Sequence, residues 1–248
     1  MGPLRAMIVR EAKIRSTNVT FLFFDLFYPL LYLLIFGVGI NAALSPARGG
    51  GYSGFFLAGV LALANFGIAS SSSWSFFLDR DNGIFLEMLT YPMRRSEYLL
   101  GKLLFNIAIA FVQAALTLAM AAGFLGLRFD GRRLPLLAVL IAVGVTGWFF
   151  LYSAIALRIR RNDVFNSVTN ISYFVLMFAS SVFYPLGPLP PWLRTVALAN
   201  PLTWEADWLR YATLGTGAPA RLGWEAAGFA LFAGASFFVA VRSLREQG

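Results

Sequence analysis

Long apolar runs alternate with short charged connections along this chain, and one connection, Asp79–Lys102 (DRDNGIFLEMLTYPMRRSEYLLGK), is itself amphipathic. Its apolar residues Ile84, Phe85, Met88 and Leu89 fall at helical spacing, which predicts a short helix held between two membrane spans. A helix so placed either lies on the bilayer or presents a face to another protein. An anionic membrane surface would repel Asp79, Asp81 and Glu87, which favours a protein partner. Together with Arg80 these acids read as a solvated or protein-binding face, not as a catalytic pair.

The residue balance excludes most soluble chemistry. With 58% hydrophobic and 13% charged residues, and a mean hydropathy of +0.70, the chain fits an integral membrane protein. Its length suits about six helices of ~20–25 residues. The predicted spans are Val19–Ile40, Phe55–Leu78, Tyr98–Leu125, Leu136–Leu157, Val164–Tyr184 and Trp224–Val241, in a single all-α transmembrane domain over residues 1–248. Histidine and cysteine are absent, which removes the usual zinc, haem and thiolate sites and every nucleophile that needs a His base. No catalytic residue and no metal site is therefore expected.

The net charge of +8 reads as the basic excess of cytoplasmic loops, with no nucleic-acid partner. With the N-terminus inside, thirteen Lys and Arg fall on cytoplasmic segments and seven on the opposite side, although Arg128, Arg132 and Arg133 dissent locally. Both termini are expected in the cytoplasm, in a bacterial-type inner membrane. Residues 1–18 form a basic interfacial helix carrying Arg5, Arg10, Lys13 and Arg15. The external segment 185–223 contains two helical pieces, one after Pro190-Pro191 and one capped by Asn200 with Pro201 in its first turn. The second piece reads as amphipathic, with Glu205, Asp207 and Arg210 polar and Trp204 and Trp208 at the interface. Short re-entrant helices are predicted there.

Polar residues inside the spans are the candidates for a substrate path: Asp25, Ser70, Ser71, Asn106 and Asn170. The plain alternatives are an Asp25–Arg15 pair near the cytoplasmic end, and helix packing or interhelical hydrogen bonds for the others. No phosphate-binding loop is present: Gly101-Lys102 is followed by Leu103, and position 96 is Ser where that motif needs its first glycine. ATP-driven work would need a second polypeptide.

Four stretches together resemble the membrane subunits of ABC transporters of the type-2 permease family. They are the N-terminal helix with Tyr28-Pro29-Leu30 to Gly37, the segment Asn82–Lys102, the run Tyr184-Pro185-Leu186 to Pro190-Pro191-Trp192-Leu193, and Asn200-Pro201-Leu202-Thr203 with Asp207 and Arg210. The resemblance implies a coupling helix at Ile84, Phe85, Glu87, Met88, Leu89 and Pro92, within a cytoplasmic segment 79–97, that docks on an ATPase. It implies a connecting helix near Leu4–Ile14, and an external re-entrant segment carrying Trp192, Asn200, Pro201, Thr203, Trp204 and Asp207. It further implies a homodimer, or a pair with a paralogous permease, served by two separate ATPase subunits that bind ATP and Mg. This chain itself holds no cofactor, contacts membrane lipid, and is not an enzyme.

The expected function is export of a hydrophobic or amphipathic cargo (drug, lipid or glycolipid-like metabolite). A polysaccharide exporter of the same family is the alternative. An ion-coupled secondary transporter is less favoured, because deep acids and internal repeats are nearly absent.

Overall fold

The structure, a computed structural model, describes residues 3–40, 51–83, 95–217 and 219–245. All regular structure among them is helical: α1 (Pro3–Thr17), α2 (Val19–Tyr32, continued by a π-helical turn Leu33–Val38), α3 (Gly51–Ser73), α4 (Ser75–Asp81), α5 (Arg95–Leu125), α6 (Leu134–Arg158), α7 (Asn162–Phe178), α8 (Pro191–Leu198), α9 (Pro201–Leu214) and α10 (Pro219–Arg245). Among the described residues, four stretches are long and apolar enough to cross a bilayer: Gly51–Arg80, Ser96–Leu125, Gly131–Arg158 and Ala220–Leu244. Phe23–Val38 is a shorter apolar helix.

The α3 helix is the axis of the bundle. Its most apolar window is 83% buried, against 28% for that of α10. It packs against α2, α5, α6 and α9, while α6 packs against α10. Small residues permit this crowding. A side chain at Gly147 of α6, for example, would meet the Phe229 ring of α10 at 2.8 Å.

The fifth predicted span, Val164–Tyr184, is helical only to Phe178. A helix of this length covers ~25 Å, short of the ~30 Å hydrocarbon layer. The chain continues as turns in which Ser180, Ser181 and Val182 are buried. Irregular backbone is tolerated at that depth because protein groups satisfy it. Asn200 Nδ2 donates to the carbonyls of Leu176 and Ala179, both at 2.8 Å. Thr203 Oγ1 accepts from Ser181 N at 3.0 Å. The same Asn200 caps α9, its side chain accepting from Leu202 N.

The α9 helix departs from the amphipathic reading. Glu205 is fully buried, not exposed to water. Its carboxylate accepts from Asn65 Nδ2 of α3 at 2.7 Å and from Trp148 Nε1 of α6 at 2.5 Å. Trp208 is buried edge-to-face against Phe229, so it belongs to the core and not to the interface belt. Gly144 of α6 leaves the space that Glu205 fills, since a Cβ there would lie 2.0 Å from Glu205 Oε1.

Asp79 and Lys102 are likewise interior, not on a solvated face. Lys102 Nζ lies 2.8 Å from Glu11 Oε1, 2.9 Å from Asp79 Oδ2 and 2.5 Å from Ser75 Oγ. Tyr98 donates its hydroxyl to Asp79 at 2.5 Å, and Arg10 pairs with both Asp79 and Glu11. The residues come from α1, α4 and α5. The two acids face two cations, so the charge balances, and a buried charge is tolerated only when paired in this way.

Two substitutions test this packing. Lys102→Met should cost ~3–5 kcal/mol by stranding Glu11 and Asp79, whereas Lys13→Met, on the exposed side of α1, should change little. Equal melting temperatures for the two variants in detergent would refute the buried network. Gly144→Ala should cost ~1–3 kcal/mol by overpacking, and a thermal unfolding scan showing no loss would mean that Glu205 does not seat against α6.

Candidate functional site

A cleft of about 330 Å³ opens between α2, α3 and α7, lined among others by Asp25, Tyr28, Ser70, Thr169, Asn170 and Tyr173. Three of the five candidate path residues, Asp25, Ser70 and Asn170, therefore share one wall system. Ser71 stands directly behind Asp25, donating to Oδ2 at 3.1 Å. Asn106 is elsewhere: its amide donates to Ser72 Oγ at 2.7 Å and joins α5 to α3. Phe24, Leu63, Ile68 and Phe174 supply the apolar part of the lining. Thr169 Oγ1 is buried with no hydrogen-bond partner, an unmet polar atom in a cleft wall.

Asp25 does not carry a free charge. Arg15 of α1 donates to its Oδ2 at 2.6 Å and to Ser71 Oγ at 2.9 Å. The cleft thus offers hydroxyls and an amide on aromatic walls, with its one acid already neutralised. That chemistry suits a largely apolar molecule with a few hydrogen-bonding groups.

The α1 helix joins this cleft to the buried charge network. Met7, Glu11 and Arg15, spaced four apart, form its buried stripe. Glu11 reaches Lys102, and Arg15, one turn further, reaches Asp25. Of the predicted interfacial residues, Arg5 and Lys13 are exposed, while Arg10 and Arg15 turn inward to acids. A purely bilayer-lying helix is therefore the wrong picture for α1. Glu11 was missed in the sequence, although its place in that four-residue stripe was a readable signal.

The residues Ile84, Phe85, Glu87, Met88, Leu89 and Pro92 lie outside the described residues. At the far end of the bundle, Trp192 is exposed and Trp204 donates to Leu198 O at 2.7 Å. Asn200, Pro201 and Thr203 organise the start of α9 and the end of α7, as described above. Asp207 pairs with Arg210 and Arg221. Arg133, from the dissenting basic cluster, donates to Tyr211 O at 2.9 Å and stacks on the Tyr211 ring, so it serves the C-terminus of α9. Among the described residues no group of acids is placed to hold a metal ion.

Relatives share this chain's pattern over most of its length. It is 27% identical over 189 residues to the putative transport permease ycf38 of Pyropia yezoensis, covering 74% of this chain and 64% of that protein. It is 26% identical over 192 residues to the ycf38 permease of Cyanophora paradoxa, with the same 74% and 64% coverage. It is 25% identical over 190 residues to the daunorubicin resistance ABC transporter permease protein DrrB1 of Streptomyces coeruleorubidus, covering 76% and 66%. The chain thus spans a little under two thirds of the ycf38 proteins it matches. The family model described as ABC-2 type transporter matches residues 3–214, a range that runs from α1 through α9 and includes both the cleft and the buried charge network, and the chain belongs to that family.

Proposed function

We propose that this chain is the membrane-spanning permease subunit of an ATP-driven exporter. It moves a hydrophobic or amphipathic cargo, such as a drug, lipid or glycolipid-like metabolite, from the cytoplasm or inner leaflet. A separate ATPase subunit, two per complex, binds ATP and Mg and supplies the energy. The observation that carries this reading is the α1 link, a single helix bonded to both the α4–α5 junction and the cleft wall. The segment 84–94 leaves α4 and enters α5, so a partner docked there acts directly on that junction. One relative is named as a daunorubicin resistance permease, which agrees with an amphipathic cargo.

The cleft is open on one side, and the helices that flank it carry bare apolar residues, including Phe24 and Ile35 on α2 and Ile171 and Val175 on α7. A second copy of the chain placed against this face would close the cleft into a path between two subunits, with both termini cytoplasmic.

Two measurements test this reading. Glu87→Arg should leave membrane insertion intact and lower cargo-stimulated ATP hydrolysis of the assembled complex roughly tenfold, the effect of losing ~1.4 kcal/mol of docking energy. Unchanged stimulation, or failure of the wild-type chain to co-purify with any ATPase, would remove the coupling role. Because the chain has no cysteine, Ile171→Cys gives a single reactive thiol. A bis-maleimide linker should trap it as a double-mass species in native membranes, whereas Leu231→Cys, exposed on α10, should remain single. The reverse pattern would rule out pairing through α2 and α7.

A further inference from the structure

Two aromatic stripes leave the cleft and converge toward the opposite end of the bundle. On α2, Tyr28 lines the cleft and meets Tyr32 edge-on at 5.0 Å, and Tyr32 stacks on Phe36 at 5.6 Å. On the other side, Phe174 of α7 lines the cleft and stacks on Phe178 at 6.4 Å, and Phe178 stacks on Phe183 at 5.7 Å. The stripes meet where Phe36 packs edge-on against Phe183 at 5.6 Å. Phe56 of α3 touches both rings, 6.0 Å from Phe36 and 5.3 Å from Phe183. By helical rise from Tyr28 to Phe36, this cluster stands ~12 Å beyond the cleft along α2. It lies near the start of α3, at the end of that helix away from Ser71 and Arg15.

The three rings are not equally fixed. Phe56 is fully buried, on the most enclosed helix of the bundle. Phe36 and Phe183 are half-buried, and both stand on backbone that has left the α-helical pattern. Phe36 lies in the π-helical turn Leu33–Val38, which begins one turn past Pro29. Such turns inside α-helices are uncommon and are frequently found at functional sites. Phe183 lies in the turns that follow α7.

Two neighbouring residues of α3 hold these segments. Ser53 Oγ donates to Gly37 O at 2.8 Å, and the Tyr52 hydroxyl donates to Phe183 O at 2.9 Å. Gly59 lets the Phe183 segment rest on α3, since a Cβ there would lie 2.8 Å from Val182 O. Rings set on regular helices are fixed by close packing of the core. Here two rings ride on irregular segments held by two hydroxyls, so they can part by swinging the segments without unpacking the bundle.

We propose that Phe36, Phe56 and Phe183 form the outward gate of the cleft, closed in this structure, with the Leu33–Val38 turn as its hinge and the Tyr52 and Ser53 hydroxyls as its latch. Cargo leaves when the Phe36 and Phe183 segments part. The gate rests on reading the cleft as the cargo path.

The test is thiol labelling from outside intact cells that express the full-length chain. Because the chain has no cysteine, Asn170→Cys places a single thiol in the cleft. A membrane-impermeant sulfonated maleimide added outside should leave it largely unmodified over the time in which Gly187→Cys, exposed beyond the gate, reacts fully. Adding Phe183→Ala to Asn170→Cys should speed its labelling roughly tenfold, the scale of three lost ring contacts acting on the opening equilibrium. Tyr52→Phe with Ser53→Ala keeps every ring and removes only the latch hydroxyls. It should also speed labelling, and it carries the test if Phe183→Ala does not fold. Phe150→Ala, which removes a ring contact with Phe237 between α6 and α10, should leave labelling unchanged. Rapid labelling of Asn170→Cys with the gate intact, no rise in a folded gate variant, or an equal rise in Phe150→Ala would overturn the proposal. The readout needs neither cargo nor ATPase, so the gate can fail while the export reading stands, and the export reading falls separately if no ATPase co-purifies.

Discussion

Lys102, held between Glu11 and Asp79, is the interaction on which one whole end of the molecule depends. Each partner sits on a different helix, and none is exposed enough for water to replace a lost contact. Moving α1, α4 or α5 alone would leave a charge unpaired in a low-dielectric interior, a penalty of ~3–5 kcal/mol. The three helices therefore behave as one body at this end. Close backbone contact reinforces it: a side chain at Gly101 of α5 would meet Met7 of α1 at 2.7 Å. Ring faces of Phe76 and Tyr98, each 5.1 Å from Lys102 Nζ, add apolar walls that favour a cation.

Glu205 does comparable work in the middle of the bundle with neutral partners only. Asn65 and Trp148 hold it from α3 and α6, and this fixes the rotation of α9. Once α9 is seated, Thr203 reaches the turn at Ser181, and the Arg210 guanidinium stacks on the Phe55 ring. The ion pairs of Asp207 with Arg210 and Arg221 are a consequence of that rotation. A quarter-turn of α9 would carry Asp207 and Arg210 away from Arg221 and Glu225 together, because they share one side of the helix three residues apart.

Much of the architecture was legible because apolar periodicity and punctuation are local. Pro191 and Pro201 sit in the first turns of α8 and α9, and Asn200 caps the latter. The Arg15–Asp25 pair was readable as an alternative because both residues flank one short connection. What could not be read were the cases where the polar side of a helix points inward. Asp79, Glu205 and Trp208 were assigned outward by a rule suited to water. In a bilayer the surroundings are apolar, so charges seek partners on neighbouring helices, and the identity of those partners is a tertiary fact. The early end of α7 was hidden for the same reason: the side chain that satisfies its last carbonyls comes from Asn200, twenty-two residues past Phe178.

The cleft lies between parts of unequal rigidity. Asp25 and Ser71 tie α2 and α3 to Arg15, and so to the three-helix body below. The α7 helix is anchored differently. Its buried residues, Phe165 and Met177, lie near its two ends. Trp74 donates to Asn162 at its start, and Asn200 holds its last carbonyls. Between those anchors α7 presents Val168, Ile171, Phe174 and Val175 with little cover from this chain. On the proposed reading, a partner that displaces the α4–α5 junction moves α2 and α3 with it, because breaking the ion pairs costs more than tilting helices within fluid lipid. The start of α7, held by Trp74 and by Phe77 of α4 against Phe165, would follow that body, whereas its last turn, held by Asn200, would lag behind. The cleft would then change width at Ser70 and Asn170, the pair that faces across it from α3 and α7.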